Sequence, residues 1–140
     1  MTMPALNHDP PIPVGALRRR LTFPGCPEQA APIRRFVAGL LTGSPHADDA
    51  VQAAAELTAN AICHTRSAAP GGSIVVEVCR WDDGRAAVSV TDQGGPAEPH
   101  VTDLDAYAGH GLGLRLVAAT ATWWGWRGDT TGRTVTAIFT

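Results

Sequence analysis

The sequence contains no lysine: all 11 of its basic residues are arginine. Thirteen acidic residues outweigh them and leave a formal charge of −2. The basic excess that direct nucleic-acid binding draws on is therefore missing. Cysteine is scarce too. Cys26, Cys63 and Cys79 are odd in number and show no C-x-x-C spacing, which excludes a zinc site or a disulfide framework and fits reduced thiols in a cytoplasmic protein. They read as small buried apolar residues. No apolar run approaches the roughly 18 residues of a membrane-spanning helix. The first residues, with Pro4, Pro10, Pro11 and Pro13, have no continuous apolar stretch; they do not form a signal peptide, and residues 1–15 are expected to be extended or disordered.

What remains is ample for a core. A chain of 140 residues, 44% of them hydrophobic, fits one domain that buries roughly two-thirds of its unfolded surface. The domain is expected over 16–140. Loose alternation of Leu17, Leu21 and Phe23 with arginines predicts a strand over 16–23, ended by Pro24-Gly25. Ile33, Phe36, Val37, Leu40 and Leu41 recur at helical spacing and predict a helix over 28–41. A second helix, over 47–64, is rich in alanine and carries Asp48 and Asp49 in its first turn, where the helix dipole favours negative charge. Strands over 73–80 and 86–92 flank an Asp83-Gly84 turn. A polar loop follows over 94–108, then a helix over 111–121 and a final hairpin with strands over 123–127 and 134–139. This order predicts an α+β two-layer sandwich, with a mostly antiparallel sheet and the helices on one face.

Three polar clusters stand out. Glu56, Asn60 and His64 are spaced i, i+4, i+8 and so share one stripe of the second helix. Asn60 offers a neutral oxygen suited to Mg²⁺ beside nucleotide phosphates, and Glu56 is placed to act as a general base. Asp92 falls on the same sheet face as Val88 and Val90, where a carboxylate needs a partner; an adenine amino group is one such donor. Gly94 and Gly95 after it allow a sharp turn and a close ligand. Gly109-His110-Gly111-Leu112-Gly113 leads into the last helix, and amides at such a helix start suit phosphates. The spacing is neither that of a dinucleotide fingerprint nor that of a P-loop. The tryptophans Trp123, Trp124 and Trp126 read as sheet packing, or as a partner surface on the sheet face away from the helices. Arg18, Arg19 and Arg20 read as a solvated edge.

In order and spacing, the Glu-x-x-x-Asn helix, the Asp-x-Gly-Gly loop and the Gly-x-Gly-Leu-x-Leu segment resemble the N, G1 and G2 boxes of the Bergerat-fold ATPase and kinase superfamily. Gly132-Arg133-Thr134-Val135 resembles its last motif. The wording Glu56-Leu57-Thr58-Ala59-Asn60-Ala61-Ile62-Cys63-His64 is most similar to the small bacterial anti-sigma-factor serine/threonine kinases, and the similarity runs over about 17–139. The resemblance implies ATP and Mg²⁺ as cofactors, Glu56 as catalytic base and Asn60 as the Mg²⁺ ligand. It implies Asp92 as adenine anchor with Gly94 shaping the pocket, and Gly109, Gly111 and Gly113 along the phosphates beside His110 and Leu112. Thr134 would support the adenine contact, and His64 matches a common histidine of the family. It also implies a sigma factor and an anti-anti-sigma antagonist protein as partners, and a homodimer. The chain departs from the family in carrying Asp92-Gln93-Gly94-Gly95-Pro96 where D-x-G-x-G is usual, and residues 96–108 hold no Lys or Arg; Arg115 is the nearest cation. Two functions follow: a kinase that sequesters a sigma factor and phosphorylates an antagonist, or a non-catalytic nucleotide-dependent interaction module.

Overall fold

The computed structural model describes residues 9–12, 14–99 and 112–140. Strand β1 (Leu17–Pro24) is followed by helix α1 (Ala30–Leu40), helix α2 (Ala47–His64), and strands β2 (Ser73–Arg80) and β3 (Ala86–Asp92). Helix α3 (Leu112–Thr120) then leads into strands β4 (Trp123–Asp129) and β5 (Gly132–Phe139). The sheet runs β1-β2-β3-β5-β4, and all four pairings are antiparallel. The connection through α3 therefore places β4 at the far edge, and β5 returns between it and β3.

Alternation along the central strands builds two different sheet faces. Ile74, Val76 and Val78 of β2 and Val88 and Val90 of β3 point to the helices, where they join Val135, Ala137 and Phe139 of β5 in one core. Helix α2 meets them with Ala50, Ala53, Ala54, Leu57 and Ala61; its alanines let the backbone come close. Ile33 and Val37 of α1 are fully buried against the same core. Trp124 and Trp126 belong to it as well, so two of the three clustered tryptophans are packing residues.

The opposite, outer face is half apolar and half polar. Cys79, Trp81, Ala87 and Ile138 form a second, smaller cluster there, with Ile12, Ala16 and Trp123 packed against it. Beside it the hydroxyls of Ser89 and Thr136 meet at 2.8 Å, as do those of Thr91 and Thr134. Of the three cysteines only Cys79 is buried; Cys26 is half-buried and Cys63 exposed, which corrects the reading of all three as interior residues. Cys63 lies on the polar stripe of α2 next to His64, where an apolar period carries no weight. Among the described residues no helix is long and apolar enough to cross a membrane.

Candidate nucleotide site

The site is built where the C-terminal end of β3, the C-terminal half of α2, the start of α3 and the β4–β5 turn converge. Asp92 is the last residue of β3, on the helix side, and only 8% of it is exposed. Its Oδ1 accepts the Gly94 N–H at 2.7 Å, and the carboxylate also takes the backbone N–H of Arg133. Burial pushes the carboxyl above its ordinary range, and these two N–H groups and the Arg133 charge offset part of that shift. A buried, partly compensated carboxylate of this kind is a receptor for a directional donor.

The paired glycines after it have separate reasons. Gly94 has φ +80°, and a Cβ on it would overlap the Thr130 carbonyl in the β4–β5 turn. Gly95 has no such backbone demand, but a Cβ there would stand 2.8 Å from the His64 carbonyl oxygen at the end of α2. The loop is thus wedged between the hairpin turn and the helix, and the Asp-x-Gly-Gly pattern follows from two close approaches. Gln93 completes the wedge: its N–H reaches Ser67 Oγ at 2.9 Å, and its Oε1 accepts the Ser73 N–H at 2.7 Å. Arg66 adds a guanidinium bond to the Thr130 carbonyl.

On α2, Glu56 and Asn60 are half-buried and His64 is exposed. Gln52 Nε2 donates to Glu56 Oε1 at 2.8 Å. Across from it, Gly113 in the first turn of α3 comes so close that a Cβ would lie 2.8 Å from Glu56 Oε2. The structure therefore brings Glu56 and Gly113 together, residues that only the order of motifs linked. Leu112 opens α3. Gly109, His110 and Gly111 lie outside the described residues.

Thr134 does not join them. It pairs with Thr91 on the outer face, and the residue in register with Asp92 is Arg133. The expected adenine support from Thr134 is corrected accordingly: the ladder puts its side chain on the other side of the sheet. Arg133 takes the helix-side position instead. It is 4% exposed, stacks on Trp126, and donates through Nη1 to the carbonyls of Gly95 at 2.9 Å and Ala97 at 2.6 Å. Its Nε has no partner among the described residues. A lone arginine in a short strand carries no signal for this clamp; only its register opposite Asp92 reveals it.

A nucleotide fits this donor set. The buried carboxylate suits an adenine amino group, and the backbone N–H groups at the start of α3 are of the kind that suits phosphates. Among the described residues no cluster of three or more His, Cys, Asp or Glu side chains is poised to hold a metal, whereas Asn60 offers the single neutral ligand that Mg²⁺ takes beside phosphates.

An antiparallel sheet covered on one face by three helices, with a buried aspartate at the end of its central strand, defines a nucleotide-binding sandwich. The model of the histidine kinase-like ATPase domain matches residues 23–139, and the chain belongs to that family. Among solved structures it is similar to a chain of the SiaB–SiaC complex from Pseudomonas aeruginosa, with a TM-score of 0.63 and 18% identity over 89% of each chain. That likeness is one of fold. No curated protein matches the chain in sequence.

Proposed function

We propose that the chain binds ATP with Mg²⁺ on the helix face of its sheet and acts as a cytoplasmic serine/threonine kinase of the anti-sigma-factor type. In this role it holds a sigma factor and phosphorylates an antagonist protein. The observation that carries the reading is the buried Asp92 carboxylate, held by Gly94 and Arg133 N–H groups; Glu56 packs against the start of α3. Asp92 would accept the adenine amino group, and Asn60 would ligate Mg²⁺. Mg-ATP, when bound, would supply the phosphoryl group and leave as ADP. Glu56 would take the proton of the attacking serine hydroxyl, and Gln52, bonded to its other oxygen, would hold the carboxylate in orientation. A protein of similar fold occurs in a two-protein complex, which supports a protein as the object of regulation.

A second reading rests on one observation: residues 96–108 contain no Lys or Arg to offset charge in a transferring phosphoryl group. The chain would then be a nucleotide-dependent interaction module without turnover. Calorimetric titration with a non-hydrolysable ATP analogue, with and without Mg²⁺ and with GTP as control, tests the site common to both. Adenine-selective, Mg²⁺-dependent binding supports it, and no binding to folded protein removes both readings. Glu56→Ala then separates them: the kinase loses phosphorylation and keeps ATP binding, whereas regulation that survives the change belongs to the module.

A further inference from the structure

The outer face of the sheet holds a cleft of about 270 Å³ that no step of the proposed function uses. Arg18, Arg20 and Arg127 line it, facing the carboxylates of Glu77 and Asp9. The ion pairs are long: Arg18 and Arg20 reach Glu77 at 3.8 and 3.5 Å, and Arg127 reaches Asp9 at 3.4 Å. Charge-assisted hydrogen bonds close to about 2.7–2.9 Å, so these guanidiniums are steered by the carboxylates without being saturated by them. The floor is the hydroxyl pairs Ser89–Thr136 and Thr91–Thr134.

Asp9 does not belong to the sheet. It comes from residues 9–12, which lie across the cleft as a strap. Asp9 bonds to Arg127, an Ile12 N–H to Pro10 carbonyl bond of 2.9 Å bends the segment, and Ile12 packs on the apolar half of the face, formed by Cys79, Trp81, Ala87 and Ile138. The strap thus sets on this face a carboxylate three residues ahead of an aliphatic side chain. Its ion pair to Arg127 is also weak. The Arg127–Asp9 side chains are 57% and 87% exposed, and exposed pairs contribute little. With Asp9 gone, three guanidiniums would face the single carboxylate of Glu77.

We propose that the outer face is a docking cleft for an extended acidic–aliphatic segment of a partner protein, and that residues 9–12 occupy it as a displaceable internal mimic. Charge complementarity selects the partner's carboxylate through Arg127, and the Cys79–Ala87–Ile138 patch takes its aliphatic residue. The cleft lies across the sheet from Asp92 and needs no nucleotide, so this inference stands or falls apart from the nucleotide reading.

The test uses the full chain and a fluorescent peptide of residues 5–16 as the probe in trans, read by anisotropy without nucleotide. Double substitution Asp9→Ser and Ile12→Ser loosens the strap without touching the sheet. The loosened chain is expected to bind the peptide about tenfold tighter than the parent, because the parent's cleft is free only a fraction of the time. Adding Arg127→Ala should return affinity to the parent's level or below, and a peptide carrying both serines should not bind. Equal binding by parent and loosened chain, indifference to Arg127→Ala, or no binding by either chain overturns the proposal. Sedimentation of the loosened chain adds one more arm: self-association blocked by Arg127→Ala would make a second copy the occupant and overturn the partner assignment.

Discussion

Gly113 stands against the flank of Glu56, with its missing Cβ leaving a space that would otherwise press 2.8 Å from Oε2 and 3.2 Å from Cβ of that glutamate. The start of α3 and the candidate base on α2 are therefore fitted to each other at one point. The atom in the way at closest range is the end of a side chain, and it can swing.

Gly113→Ala should consequently cost little stability. A helix-propensity gain of about 1 kcal/mol offsets mild overpacking, and unfolding in denaturant should stay within about 1 kcal/mol of the parent. The Glu56 carboxylate must turn away from Gln52, so the phosphorylation proposed for this site should fall by more than the unfolding free energy predicts. A loss of several kcal/mol would mean that the helix backbones, not the carboxylate, had to yield.

Asp92 should behave oppositely in binding and in stability. Asp92→Ala weakens ATP-analogue binding by roughly 1.5–3 kcal/mol, the scale of a hydrogen bond to a charged group, read by calorimetry. For stability, the folded-state pKa is raised above 3.8 by burial. The folded protein then holds the proton more tightly than the unfolded chain, so stability falls as pH rises through that window. Asp92→Asn keeps an oxygen for the Gly94 N–H and removes the buried charge. Its stability relative to the parent should rise with pH above about 4 and level off once the folded-state carboxyl has ionised; a difference that stays flat as pH rises would refute the raised pKa.

The two glycines of the loop should differ in cost. Gly94→Ala meets a positive φ and the Thr130 backbone together, and should lose about 3 kcal/mol or more. Gly95→Ala meets only the His64 carbonyl at 2.8 Å and should lose about 1–3 kcal/mol. Thermal unfolding of both variants checks the order, and a reversal would show that the helix end is the stiffer wall.

Arg133→Ala should destabilise by about 1–3 kcal/mol, since two carbonyls lose their donor. Hydrogen exchange in residues 94–98 should quicken more than elsewhere. Protection unchanged there would mean that the loop is held by Gln93 and Arg66 alone.

Thr134→Val should leave nucleotide affinity unchanged, because its hydroxyl meets Thr91 on the outer face. A stability loss of about 1 kcal/mol is expected for the broken pair. A clear loss of nucleotide affinity would show that the two sheet faces communicate.

Much of this was legible in the sequence because it is local. Apolar spacing located α1 and α3, alanine content with Asp48 and Asp49 in the first turn located α2, and strand alternation from Val88 to Asp92 put the carboxylate on the helix side. The Asp83-Gly84 turn announced the β2–β3 hairpin. Misplacing Thr134 came from reading a motif without its ladder: which of two neighbours faces the helices is decided by the pairing of Asp92 with Arg133, a long-range fact. Arg133 itself was hidden because its partners, the Gly95 and Ala97 carbonyls, are more than 30 positions away. The reason for Gly95 lies in the end of α2, equally remote. The proline-rich start was read as extended or disordered; of its described residues Asp9 pairs with Arg127 and Ile12 packs on the outer apolar cluster, and nothing in the composition names those receiving groups.

Strand β5 carries Arg133 on one side and Thr134 and Thr136 on the other, so the nucleotide site and the outer cleft are separated by a single thickness of backbone. If filling one alters the twist of β5, the thermodynamic cycle that joins the two sites obliges the other to answer by the same factor. A strap on one face and a nucleotide on the other would then report on each other through one layer of sheet.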